Sequence, residues 1–331
     1  MSELIDPFNR SIHYLRVSVT DRCNYRCFYC MPSRGLEWEQ RKEFLSYEEL
    51  TRLIRLFSEL GVDKVRLTGG EPLARRGILE FVRQLSKLPG INDLSMSTNA
   101  HLLANQAQAL AEAGIQRVNI SLDSLDPGVF RQITRNGELQ PVLRGIDAAL
   151  EAGMHPVKIN MVVMKGLNEL EIEPMLDYAL ERGADLRYIE TMPIGEAGIQ
   201  GADHYFPADR ILFRLKRHLG SDLIPVKGAR GAGPARYYQV SAGPVRVGVI
   251  GALSRHFCDD CNRVRLTARG DLVLCLGQED RESLREPMRR GATDNEIKEL
   301  ILLAIARKPL SHEFNTDESR VSLRHMSSLG G

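Results

Sequence analysis

Six cysteines stand in two groups of three, Cys23/Cys27/Cys30 and Cys258/Cys261/Cys275, with none between them. Clustered thiols of this kind read as metal ligands before disulfides. Three thiolates on one short loop can hold three irons of a cubane cluster, leaving the fourth iron open to a small molecule. The first group has x3/x2 spacing, unlike the x2/x2 run of a bacterial ferredoxin. No fourth cysteine follows closely, as a pure electron carrier would need. Zinc would also want a fourth ligand, and residues 21–34 contain no histidine. The second group is a CxxC pair and, beyond thirteen intervening residues, Cys275. It suits either a second open [4Fe–4S] cluster or zinc with His256 as the fourth ligand.

Other residues could also do chemistry. Adjacent glycines in Gly69-Gly70-Glu71-Pro72 permit a close backbone approach, although a simple turn would look the same. Arg66 lies inside an apolar run just before them, where burial without a partner would be costly, so a ligand role is expected. For Arg187 the neighbouring Glu190 is a candidate structural partner. Arg263 and Arg265 alternate on an expected strand and so share one face.

The elements that must position these groups follow from hydrophobic patterning. Apolar, β-rich runs occupy 14–19, 64–68, 93–98, 117–122, 157–164 and 185–190, with helix-period segments between them. One helix runs from about Ser46 to Leu60, opened by a Ser46/Glu49 capping box and followed by Gly61. The repeated order of helix, glycine, short gap and strand marks successive β/α units. Six units are too few for a closed eight-unit barrel. The expected fold is α/β, a partial (β/α)6 TIM-like barrel over residues 1–195. Active groups then belong at the C-terminal ends of the strands, where the cysteine loop, the double glycine, Ser97-Thr98-Asn99, Ser121-Leu122-Asp123 and Glu190-Thr191-Met192-Pro193 all fall. Residues 196–307 are expected to form a smaller α+β module closing one side and carrying the second cysteine group. Its elements are helices near 207–219 and 294–307, a hairpin around Ala242-Gly243-Pro244, and two strands flanking 267–272. The tail, 308–331, has little periodicity and is expected to be mobile unless docked.

Composition excludes several classes. The 331-residue chain is 43% hydrophobic and 26% charged, with a net charge of +1. It has no global field to attract nucleic acid or a membrane, and no added basic module. Arg outnumbers Lys 35 to 9, chiefly a compositional bias, so only arginines beside motifs are given roles. No apolar run is long enough to span a bilayer, and the mixed, charged stretch Met1 to Arg10 is unlike a secretory leader. A cytoplasmic location is the expectation.

The segment Cys23-Asn24-Tyr25-Arg26-Cys27-Phe28-Tyr29-Cys30 resembles the CxxxCxΦC motif of the radical S-adenosylmethionine superfamily, with Tyr29 as the aromatic residue. Gly69-Gly70-Glu71-Pro72 resembles that superfamily's GGEP. The run from Cys258 through Arg263-Val264-Arg265 to Cys275 is similar to one family within it, the molybdenum cofactor biosynthesis protein A (GTP 3′,8-cyclase) family. So are residues 66–72, 119–125, 158–160, 187–190 and the terminal Gly330-Gly331. The resemblance runs from about residue 10 to the end.

This resemblance implies two [4Fe–4S] clusters, held by Cys23, Cys27 and Cys30 and by Cys258, Cys261 and Cys275, with S-adenosylmethionine as co-substrate. It implies conversion of GTP to 3′,8-cyclo-7,8-dihydro-GTP, the first step of molybdenum cofactor biosynthesis. Matched by motif position, Tyr29, Gly70, Ser121 and Met192 would line the S-adenosylmethionine site. Arg16, Arg66, Ser97, Lys158, Arg187, Arg263 and Arg265 would bind GTP, and Gly330 and Gly331 would enter the active site. An electron donor, product hand-off to cyclic pyranopterin monophosphate synthase and a homodimer are further implications. Ser97-Thr98-Asn99-Ala100 departs from the family's usual TTNG: the hydroxyl survives, but Ala100 replaces a glycine and could shift the turn. The rival readings are a two-cluster radical enzyme acting on a peptide, and an electron-transfer or iron-sensing protein, which would need closed clusters.

Overall fold

The computed structural model describes residues 3–32, 34, 40–194, 202–221, 223–226, 233–240, 245–255, 257–314 and 325–330. Six strands alternate with helices in the first part: β1 (Tyr14–Ser18), β2 (Lys64–Thr68), β3 (Asp93–Thr98), β4 (Arg117–Ser121), β5 (Val157–Val163) and β6 (Asp185–Glu190). Between β1 and β2 runs α1 (Tyr47–Glu59), whose capping box is formed on both sides: Glu49 N–H donates to the Ser46 hydroxyl and Ser46 N–H to the Glu49 carboxylate. Leu50, Leu53, Ile54 and Phe57 recur at helical spacing and are fully buried. Each such side chain contributes about 1.5–3 kcal/mol of burial.

The six β/α units of the partial barrel are present as expected. The C-terminal segment does more than close one side. Two of its strands, β9 (Arg246–Ile250) and β10 (Arg263–Leu266), join the sheet in parallel at opposite edges, β9 beside β6 and β10 beside β1. Beyond them β7 (Ile224–Val226) and β8 (Arg236–Gln239) extend one edge antiparallel, and β11 (Asp271–Val273) and β12 (Arg281–Ser283) the other. Among the described residues the result is one 12-stranded sheet with eight parallel strands at its centre. Both cysteine groups therefore sit on loops of one continuous sheet: the first triplet after β1, Cys258 and Cys261 before β10, and Cys275 after β11.

Strand alternation separates the two faces. Leu15, Val17, Val65, Leu67, Met96, Val118, Ile120 and Ile159 are buried in the apolar core. The intervening residues, Arg16, Arg66, Ser97, Asn119, Lys158 and Arg187, line the concave interior. An ordinary barrel interior is filled by branched apolar side chains; this one is polar and cationic. The end of the tail is docked: Leu329 is buried against Ile194 and Val273, within a short helical turn, Met326–Leu329.

Candidate active site

Strand register builds the site. Arg16 stands opposite Arg66 on one side and Arg265 on the other, and Tyr14 opposite Arg263. Further round, Ser97 pairs with Asn119, Asn119 with Lys158, and Asn160 with Arg187. A cavity of about 310 Å³ opens over this floor. Both cysteine triplets line it, together with Arg16, Arg66, Lys158, Arg187, Arg263 and Arg265.

These cations are crowded and poorly hydrated. Burial, then repulsion from Arg265, holds Arg16 well below its ordinary pKa. Burial and Arg263 bring Arg265 down to about 10. Burial lowers Arg66 and Lys158 too. Tyr14 is buried, which opposes ionisation, but Arg66, Arg16, Arg263 and Arg117 outweigh that and pull its pKa down. Within the protein the anchors are neutral: Arg66 Nε donates to Ser95 Oγ at 3.1 Å, Lys158 Nζ to the Tyr237 hydroxyl at 3.1 Å, and Arg187 Nε to Asn160 Oδ1 at 2.8 Å. Nη2 of Arg187 is buried without a hydrogen-bond partner among the described residues. Concentrated, desolvated cations of this kind favour a polyanionic ligand, and arginine forks suit phosphate oxygens.

Glu190, the alternative structural partner for Arg187, is not bonded to it: Arg187 Nε bonds Asn160 instead. Glu190 is engaged by the C-terminal segment, accepting from Ala208 N–H at 2.7 Å, Leu253 N–H at 3.0 Å, Ser254 N–H at 3.2 Å and the Tyr205 hydroxyl at 3.2 Å. It ties the rim of β6 to the C-terminal segment and leaves Arg187 facing the cavity.

On the same rim, after β2, the GGEP turn is fitted to the cysteine loop. Gly70 N–H donates to Thr20 O at 2.7 Å, and Glu71 N–H to Arg22 O at 2.8 Å. A Cβ on Gly70 would lie 2.3 Å from Arg22 O, so only glycine fits. With its N–H engaged, what Gly70 can offer a ligand is its carbonyl oxygen. Glu71 is fully buried and accepts from Leu73 N–H at 3.0 Å, Thr98 Oγ1 at 2.8 Å and Asn99 N–H at 2.7 Å. Burial outweighs these bonds and pushes its pKa up to about 7. Through Glu71 the turn also fixes Asn99, whose Nδ2 donates to the Cys23 sulfur at 3.7 Å. Ala100 takes the left-handed conformation itself, at φ 59°, so the turn is kept without the glycine. Tyr29 donates its hydroxyl to Asp123 Oδ2 at 2.7 Å, and burial raises Asp123 to about 6.

Two family models match the chain: Radical SAM superfamily over residues 17–179, and Molybdenum Cofactor Synthesis C over residues 184–314. A GTP 3′,8-cyclase of Hydrogenovibrio crunogenus is 53% identical over 329 residues, 99% of this chain and 99% of that one. A GTP 3′,8-cyclase of Alkaliphilus oremlandii is 44% identical over 326 residues, 98% of this chain and 99% of that one. The chain belongs to the GTP 3′,8-cyclase family of radical S-adenosylmethionine enzymes. A crystal structure of Streptococcus suis SuiB bound to S-adenosylmethionine shares the fold, with a TM-score of 0.65 at 15% identity over 92% of this chain and 66% of that one.

Membership of a cyclase family within the radical S-adenosylmethionine enzymes brings a [4Fe–4S] cluster and S-adenosylmethionine, and the first triplet fits that cluster. Among the described residues no three His, Cys, Asp or Glu side chains converge as the ligands of a single ion would. The three thiols instead border one cavity. Burial and Cys23 drive Cys30 up to about 12, burial with Asp123 and the other two thiols drives Cys27 well above its ordinary value, and burial with Glu71 drives Cys23 to about 11. Thiolates so confined require positive charge, which cluster irons provide. The second triplet also borders the cavity; His256, the fourth ligand that zinc would want, lies outside the described residues.

Of the expected site residues, Tyr29, Gly70, Ser121, Met192, Arg16, Arg66, Ser97, Lys158, Arg187, Arg263, Arg265 and all six cysteines line this one cavity. Gly330 stands just behind it: its carbonyl accepts from Arg265 Nη1 at 2.8 Å, and at φ 72° a Cβ there would meet Thr68 Cγ2 at 2.4 Å. Gly331 lies outside the described residues. Sequence reasoning assigned no role to Tyr14, Arg117, Asn119 or Asn160, which also line the cavity. The signal was available, since each lies two residues from an assigned position or from another of this set on its strand.

Proposed function

We propose that this chain converts GTP to 3′,8-cyclo-7,8-dihydro-GTP, the first committed chemistry of molybdenum cofactor biosynthesis. The observation that carries it is a cavity with an open three-thiolate set on either side of a cationic floor, in a chain 53% identical to a GTP 3′,8-cyclase. Cys23, Cys27 and Cys30 would hold the [4Fe–4S] cluster, which would supply the electron for reductive cleavage of S-adenosylmethionine and so the radical chemistry at ribose C3′. Arg16, Arg66 and Arg265, adjacent in register, take the triphosphate. Lys158 and Arg187 hold the nucleoside from the far side, and Ser97 lies between the two sets. Tyr29, Gly70, Ser121 and Met192 line the S-adenosylmethionine pocket on the first triplet's side. Cys258, Cys261 and Cys275 would hold a second [4Fe–4S] cluster, which would supply an iron site for the guanine, with Arg263 on the same cavity wall. Gly330 brings the tail to this site through Arg265, and the terminal Gly331 would enter it.

Holding the reacting atoms in one water-poor cavity is the protein's main contribution, because the cofactor carries the difficult chemistry. The peptide-substrate alternative draws support only from neighbours that share the fold at low identity. The reading extends to an external electron donor, hand-off to cyclic pyranopterin monophosphate synthase, a homodimer and a cytoplasmic location. No helix among the described residues is long and apolar enough to cross a membrane. The test is anaerobic reconstitution with iron and sulfide, then measurement of 5′-deoxyadenosine with and without GTP. GTP-dependent formation with a new product of GTP's own mass supports the reading, and formation that ignores GTP refutes the substrate.

A further inference from the structure

Lys308 is among the most deeply buried side chains of the protein, with 2% of its surface exposed. It belongs to none of the groups assigned above. Its Nζ donates to the Leu274 carbonyl at 2.6 Å, immediately before Cys275. Burial pulls its pKa down, and the nearby Cys261 and Cys275 oppose that. A buried ammonium is costly unless an anion faces it. No carboxylate pairs with it among the described residues. Instead, the neighbouring cation Arg10 is already neutralised by Asp6, at 2.5 Å.

Arg10 explains how Lys308 is held. Its Nη1 donates to the carbonyls of Cys258, at 2.7 Å, and Leu310, at 2.6 Å, and its Nη2 to that of Pro309, at 2.6 Å. The Asp6–Arg10 pair thus clamps the segment after Lys308 to the loop bearing Cys258. The ammonium is thereby held at the Leu274 carbonyl, one residue before Cys275.

We propose that Lys308 is a positioning residue that offsets the negative charge of the second cluster and raises its reduction potential. The proposal rests on the second triplet holding a [4Fe–4S] cluster. Three thiolates leave such a cluster with net negative charge that grows by one on reduction, so a fixed cation stabilises the reduced form more than the oxidised one.

The test uses the full-length chain with Cys23→Ala, Cys27→Ala and Cys30→Ala, reconstituted so that only the second cluster remains, and an EPR-monitored redox titration. Lys308→Gln keeps a donor for the Leu274 carbonyl but removes the charge, and Lys308→Arg keeps the charge. Lys308→Gln is expected to retain iron and to shift the reduced-to-oxidised ratio about tenfold toward oxidised, about 59 mV for a one-electron couple. Lys308→Arg is expected to restore it. Loss of iron in Lys308→Gln with retention in Lys308→Arg also supports the charge role. Equal potentials in all three, or loss of iron in both variants, overturns it. Absence of iron from the Lys308 parent chain refutes the second cluster itself, which is a separate failure seen before any variant is compared.

Discussion

Gly70→Ala tests how the GGEP turn serves the first cluster. A methyl group there would lie 2.3 Å from Arg22 O, 2.5 Å from Arg22 C and 2.6 Å from Asp21 O. All three are backbone atoms of the cysteine loop, so no side chain can swing aside. Ordinary contact begins near 3.4 Å, so the loop must retreat by about 1 Å. That retreat breaks the Gly70–Thr20 and Glu71–Arg22 hydrogen bonds, worth about 1 kcal/mol each. Overpacking adds about 1–3 kcal/mol, so the local cost is about 3–5 kcal/mol. The variant should fold, because the disturbance is confined to the rim, but bind half the iron of the wild type after reconstitution. Its 5′-deoxyadenosine formation should fall at least about a hundredfold, the usual cost of misplacing reacting groups by an ångström. Gly153→Ala is the comparison: its φ of 72° is strained for alanine, yet no atom lies within 4 Å, so iron should be full. Full iron and wild-type turnover in Gly70→Ala would refute the reasoning.

Three further outcomes follow from single residues. Arg265→Ala removes one charge-assisted contact, worth about 1.5–3 kcal/mol, so KM for GTP should rise about ten- to hundredfold with iron unchanged; an unaltered KM contradicts triphosphate binding there. Glu71 has a folded pKa near 7 against an ordinary 4.5, so the fold favours its protonated form. That contribution, at most about 3 kcal/mol, is complete below about pH 4.5 and lost as pH rises through about 7. Thermal unfolding should therefore show the wild type losing more stability between about pH 5 and about pH 8 than Glu71→Gln, and identical profiles would contradict this. Ala100→Gly relieves about 1–2 kcal/mol of left-handed strain but loses about 0.8 kcal/mol of methyl burial and gains chain entropy worth about 0.5–1 kcal/mol when unfolded, so denaturant melts should agree within about 1 kcal/mol.

Much of this arrangement was legible in the sequence, because local signals set it. The six barrel strands fall where the apolar runs lie, and the Ser46/Glu49 box opens α1 as its residues dictate. The cysteine spacing and the double glycine pointed to the rim they occupy. Period-two alternation placed Arg263 and Arg265 on one face, and both line the cavity. What stayed hidden depends on register between distant strands. That β9 and β10 would join opposite edges cannot be read from either segment alone. The same holds for the partner of Lys158, Tyr237, 79 residues away, and for Arg187, which bonds Asn160 across β5 while Glu190 is used elsewhere. Lys308 gave no motif at all; its meaning arises only from the clamp made by Arg10.

The most direct test of the central claim follows one hydrogen atom. The reconstituted chain would be given reductant, S-adenosylmethionine and GTP carrying deuterium at ribose C3′, and the 5′-deoxyadenosine weighed by mass spectrometry. Transfer of that deuterium to the 5′-deoxyadenosine is the predicted result. Unlabelled 5′-deoxyadenosine formed in a GTP-dependent reaction would place the abstraction at another atom and contradict the account.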